Sequence, residues 1–90
     1  MSMRILVTPE ELEGIAQQFK NGSDASRQQT AQLYQALQSL EGKWDGATKK
    51  RFFDQFEQSR RHMEAYVQLL DSIDQELRAI ATRFRQADAQ

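Results

Sequence analysis

The residues that could do covalent or acid-base chemistry are few. His62 is the only histidine in the 90-residue chain, and there is no cysteine. That removes disulfides, thiolate zinc sites and cysteine nucleophiles. A lone imidazole flanked by Arg61 and Met63 has no second histidine to share a metal with, and it leaves no plausible Ser-His-Asp set. No glycine-rich phosphate loop is present. The carboxylates fall mostly on outward helix positions, where ordinary pKa values are expected. The chain is therefore read as non-enzymatic, with no cofactor and no metal. Trp44, the only tryptophan, stands out instead, set in a short polar break, "GKWDG", between two long stretches with helical periodicity.

Charge narrows the partners. Twelve Lys and Arg stand against thirteen Asp and Glu, a net charge of -1, so nothing draws the chain generally to nucleic acid or to anionic lipid. The basic run Lys49-Lys50-Arg51 is followed one turn later by Asp54 and Glu57, and reads as a solvated face. No stretch approaches the roughly 20 apolar residues that cross a bilayer. The opening run Ile5-Leu6-Val7 is shorter than the apolar core of a signal peptide. A mean hydropathy of -0.77 agrees, and stable membrane insertion and membrane lysis are not expected.

The elements that must position these residues are helices. Thr8 can cap, Pro9 suits the first helical position and Glu11 completes a Thr-x-x-Glu box, with Val7 and Leu12 spaced as a hydrophobic staple. This opens a first helix over about 9–41. Leu12, Phe19, Ser26, Leu33 and Leu40 then recur at sevens, with Ile15, Gly22, Gln29 and Ala36 as companions. "KNGSDAS" at 20–26 has loop chemistry and would divide the chain into three helices. The apolar phase continues unshifted across it, which favours one helix, with Gly22, Ser23, Ala25 and Ser26 admitting another helix closely.

A short turn at about 42–46 follows, in which Asp45 could cap the next helix and Gly46 supplies a backbone geometry closed to other residues. The second helix, about 47–86, repeats apolar residues at threes and fours from Phe52 to Phe84 without Gly or Pro, and a short tail ends the chain. Adjacent pairs such as Phe52-Phe53, Tyr66-Val67 and Leu69-Leu70 make its apolar stripe too wide for one partner helix. The expected fold is one all-α domain, an antiparallel two-helix hairpin that dimerises into a four-helix bundle. Its partner is a second copy, or a related hairpin in a heterodimer.

Trp44-Asp45-Gly46 at the midpoint of a cysteine-free helical hairpin resembles the WXG family of about one hundred residues. These are the ESAT-six-like substrates and components of bacterial type VII secretion. The resemblance covers nearly the whole chain, from "VTPEELEGIAQQF" through W-x-G and the second helix to the C-terminal end. It implies a protein made and dimerised in the cytoplasm, recognised as a folded dimer by the type VII secretion ATPase and secreted without a Sec signal peptide. Such a protein serves as an effector or as a partner of the apparatus. It also implies an export signal after the last helical turns, usually Tyr-x-x-x-Asp/Glu. Here Phe84-Arg85-Gln86-Ala87-Asp88 keeps the ring and lacks the hydroxyl. Trp44, Gly46, Phe84 and Asp88 are the recognition residues that this carry-over selects. A different class of function also fits the residues: a cytoplasmic helical adaptor or chaperone-like hairpin, docking another helical protein at the polar centre of the first helix.

Overall fold

The structure is a computed structural model that describes residues 6–44 and 46–88. The expectations for Ile5 and Asp45 lie outside those residues. Two helices account for the fold: α1, Pro9–Gln38, and α2, Ala47–Asp88, packed as an antiparallel hairpin 67 Å long and 16 Å thick. Among the described residues there is no strand beyond one isolated bridge between Glu41 and Trp44.

The start of α1 follows from its first residues. Thr8 is extended, and its hydroxyl accepts a hydrogen bond from the Glu11 amide at 3.1 Å, satisfying a donor that no helical carbonyl can reach. Pro9 occupies the first turn, where its missing N–H costs nothing. The helix runs unbroken through Asn21-Gly22, and Ser23, inside the stretch with loop chemistry, is fully buried against α2. Tertiary packing of the seam overrides the local turn signal.

At its far end α1 stops at Gln38, about three residues short of the sequence expectation. Ser39 bonds back to the Ala36 carbonyl through its hydroxyl at 2.6 Å. Leu40, Glu41 and Lys43 then bond three residues back instead of four, tightening the chain. Gly42 turns it at φ +83°, a left-handed conformation that side chains resist. The bend is thus wound from several turns over 39–44.

The seam between the helices is thin. Among the described residues, Leu12 and Ala16 of α1 and Val67 and Ala81 of α2 are its buried apolar side chains, joined by Ser23 and Asp74. Polar groups then lace one face of the hairpin. Arg85 bonds Glu13 at 2.5 and 2.7 Å, Arg78 reaches Gln17 at 3.0 Å and Asp74 at 2.6 Å, and Arg27 reaches Asp71 at 2.6 Å. On the other face Ile15, Leu33, Leu40, Tyr66 and Leu69 stand open to solvent, between 40 and 57% exposed. The accessible surface is 7208 Å². A compact monomer of 10.5 kDa is expected to show about 5,400 Å². The excess is larger than one partner's share, about 800 Å², of a standard-size protein interface.

Candidate functional site

The bend is held by aromatic packing. Phe52 and Phe53 leave the second turn of α2 about 100° apart, and Trp44 closes over both. Its ring lies 5.5 Å from Phe52 and 5.9 Å from Phe53, tilted at 59° and 54°, while the two phenylalanines meet edge to face at 90°. Such offset and edge-on geometries are the favourable ones for aromatic quadrupoles. Trp44 is half-buried, and Phe52 keeps 38% of its surface exposed, so the cluster is both the plug of the hairpin and part of its outside. The indole Nε1 is buried and has no hydrogen-bond partner among the described residues.

Gly46 follows at φ +85°, with nothing within 4 Å of where a Cβ would stand. Backbone conformation, not space, selects glycine there. Its carbonyl accepts from Lys50 N at 3.2 Å, closing the first turn of α2. Beside it lies a surface hollow of about 370 Å³, whose lining includes Gln38, Lys49, Lys50 and Phe53. The basic run is partly neutralised: Lys49 pairs with Glu41 at 2.5 Å and Lys50 with Asp54 at 3.0 Å.

Phe84 and Asp88 sit at the opposite end of the molecule, both within α2 and four residues apart, which places them on one helix face. Phe84 is half-buried. Thirty-two residues of helix separate Phe84 from Phe52, roughly 48 Å. Within one chain, then, the four residues selected from the sequence form two groups, not one.

Most of the described carboxylates lie on outward positions, as expected; Asp74 and Asp71, at the seam, are the exceptions. Asp74 is buried at the seam beside Arg78. Asp71 receives Arg27 on Oδ2, while its Oδ1 is buried without a well-formed hydrogen bond among the described residues. The Ser23 hydroxyl beside it, then Arg27, hold this carboxyl below its ordinary range. Hydrogen bonds from Arg85 do the same to Glu13, and those from Arg60 to Glu57. The one sequence sign of this was Arg78 placed four residues after Asp74; the pairing of Arg27 with Asp71 spans 44 residues and requires the hairpin register. These groups act structurally. Among the described residues no cluster of three metal-ligating side chains occurs, and no helix is long and apolar enough to cross a membrane.

Residues 4–89 match the family model for proteins of 100 residues with WXG. The type VII secretion system extracellular protein A of Staphylococcus aureus is 34% identical over 86 residues, covering 96% of this chain and 89% of that protein. Among solved structures, the secreted protein EsxB of Bacillus anthracis superimposes with a TM-score of 0.89 at 41% identity, over 94% of this chain and 99% of that one. Geobacillus thermodenitrificans EsxA gives 0.83 at 34% identity, over 100% and 97%.

Proposed function

The chain belongs to the WXG family of about 100 residues, and on that premise we propose that it is a secreted substrate of a bacterial type VII secretion system, recognised and moved as a folded dimer. The observation that carries this reading is the W-x-G at the bend of a hairpin whose whole length matches proteins named for that system and for secretion. Catalysis has no part in it. The work is presentation of a surface, first to a second hairpin and then to the secretion ATPase.

Dimerisation supplies what the single hairpin lacks. Its open face exposes Tyr66 and Leu69 at 53 and 57%, and a second hairpin laid on it removes these side chains from water. Packed antiparallel, the bend of one chain lies beside the C-terminus of the other. Trp44 and Gly46 then join the partner's Phe84 and Asp88 in one composite signal, an indole next to an apolar ring and a negative charge. Secretion makes the protein an effector or a partner of the apparatus.

An adaptor that docks a foreign helix is the competing reading, favoured by an open notch at the centre of α1 beside Gly22 and Ser26. One experiment separates the two. The tagged protein is followed in culture medium and lysate of its own organism, with and without the type VII ATPase. The proposal expects signal in the medium that vanishes when the ATPase is deleted, while the lysate pool persists. Signal in the medium of the deletion strain contradicts it, and signal confined to the lysate of both strains supports the adaptor.

A further inference from the structure

The last turns of α2 have little inside the chain to hold them. Gly22 of α1 lies against Leu70 of α2. The helices run antiparallel, so Pro9, thirteen residues before Gly22, stands level with about residue 83. Residues 84–88 therefore run on past the start of α1. Among the described residues Ala81 is the last buried one of α2; after it Thr82, Arg83, Arg85, Gln86 and Ala87 are exposed, and Phe84 is half-buried. A helix end with so little apolar contact has low local stability, and the final carbonyls of a helix lack amide partners within it.

One tie across the hairpin reaches this end. Arg85 stands between Phe84 and Asp88 in sequence. Helical side chains lean toward the N-terminus of their own helix, and Arg85 reaches back to the opening of α1. Its Nη1 and Nη2 donate to the two carboxylate oxygens of Glu13 at 2.5 and 2.7 Å, and Nη2 donates to Glu10 Oε1 at 3.5 Å. Two nitrogens of the fork on one carboxylate fix orientation as well as distance. Glu10 and Glu13, three residues apart, share one face of α1. Beyond Ala81 the other polar contacts of the described residues stay inside α2: Arg83 with Glu76 at 3.6 Å, and the Thr82 hydroxyl with the Arg78 carbonyl at 3.0 Å. Neither ties one helix to the other.

We propose that Glu13, assisted by Glu10, is a positioning residue for the export signal: through Arg85 it holds the overhanging end of α2 as helix and commits the Arg85 charge to α1. The proposal rests on the exported-substrate reading and adds what prepares the signal. Order matters first, because a surface already ordered spends no binding free energy on becoming so. Charge matters second. Arg85 precedes Asp88 by three residues, a spacing at which opposite charges on a helix pair. Freed from Glu13, the guanidinium would neutralise the carboxylate on which the signal depends. The pair with Glu13 is itself open to water and adds little to global stability. Its effect is local, and it gives the opening of α1 a part in recognition of the far end of the sequence.

Glu13→Gln tests this in the full chain, since it leaves Phe84, Arg85 and Asp88 untouched. Hydrogen exchange of the amides of residues 82–88 is expected to quicken about fivefold, the scale of one well-formed exposed ion pair, while exchange over 63–74 and the dimer dissociation constant stay unchanged. ATPase-dependent export falls with it by at least about fivefold. Glu13→Arg and Arg85→Glu alone are expected to behave like Glu13→Gln. The double variant restores the pair with its charges exchanged, and is expected to recover slow exchange and export together. Unchanged exchange in Glu13→Gln overturns the clamp, whatever the export result. A loosened end with wild-type export overturns its role in the signal. Export that stays lost in the double variant after exchange has recovered gives Arg85 direct contact with the machinery and overturns positioning. A wild-type chain released equally with and without the ATPase overturns the export reading, and the exchange result still decides whether Glu13 holds the end of α2.

Discussion

The two faces of this hairpin differ in how far they are finished. One is closed within the chain by polar partners: Glu13 with Arg85, Gln17 with Arg78, and Asp71 with Arg27, each spanning the two helices. The other leaves Ile15, Leu33, Tyr66 and Leu69 open, with a glycine at its centre that nothing in the chain requires. Ion pairs between exposed side chains stabilise little, while buried apolar area stabilises in proportion to its extent. The laced face sets the register of the hairpin; the bare face holds most of the free energy still to be gained. A small domain of this kind gains that energy from a partner.

The largest effect is expected where the bare face is made unfit for burial. Tyr66→Glu places a carboxylate on that face, where pairing would desolvate it without a cation. The dimer dissociation constant should rise at least about a hundredfold, ~3 kcal/mol, by sedimentation equilibrium. A Tyr66→Glu chain as dimeric as wild type would place the interface elsewhere.

Trp44→Ala comes next. The ring is half-buried, so its loss should cost about 2 kcal/mol of thermal stability, less than the ~3–5 kcal/mol for a fully buried large aromatic residue. Export should fall far more than stability does. An unfolded variant would make Trp44 a core residue alone, and a dimeric variant exported normally would remove it from the signal. Gly46→Ala is smaller again. Forcing a Cβ into φ +85° should cost about 1–2 kcal/mol, with no clash to add. A loss near zero in thermal melts would mean that the bend relaxes freely.

The smallest effects belong to the laced face. Arg85→Ala should lower the melting midpoint only slightly at neutral pH, because the pair it breaks with Glu13 is exposed to water. Acid probes the same face. Glu13 and Glu57 are held below their ordinary 4.5 and Asp71 below 3.8, so their contribution is present above those values. It is lost as the pH falls through the lowered ones. Melts should show stability nearly flat above pH 5 and declining below about 4.5, with a shallower decline in Asp71→Asn. Stability that rises on acidification would contradict the assignment of these pairs.

Much of this contrast was legible before any coordinates. Thr8 and Pro9 announced α1 through local chemistry alone, and the unshifted phase from Leu12 to Leu33 carried the helix across Asn21-Gly22. The width of the α2 stripe foretold the bare face. The end of α1 was not legible, because Leu40 keeps the heptad and Ser39-Leu40-Glu41 is as compatible with a helix as with the turns it forms. Nor were the roles of Asp71 and Ser23, which depend on which residues the register sets opposite each other. Trp44 was visible as a bend residue, but its packing on Phe52 and Phe53 came from the path of the chain over 39–44. The recognition proposed for Phe84 and Asp88 would lie between chains, where a single sequence has no periodicity to show.

Export of a mixed dimer bears most directly on the central claim, that the signal is composite and forms only in the pair. A Trp44→Ala chain and an Asp88→Ala chain, each dimeric and export-defective alone, are given different tags and expressed together in the native organism. The mixed dimer keeps one intact end and loses the other. Recovery of both tags in the medium, with heterodimers captured by sequential pull-down, is the result the account predicts. No recovery despite heterodimer in the lysate, or full export of the Asp88→Ala homodimer, would contradict it.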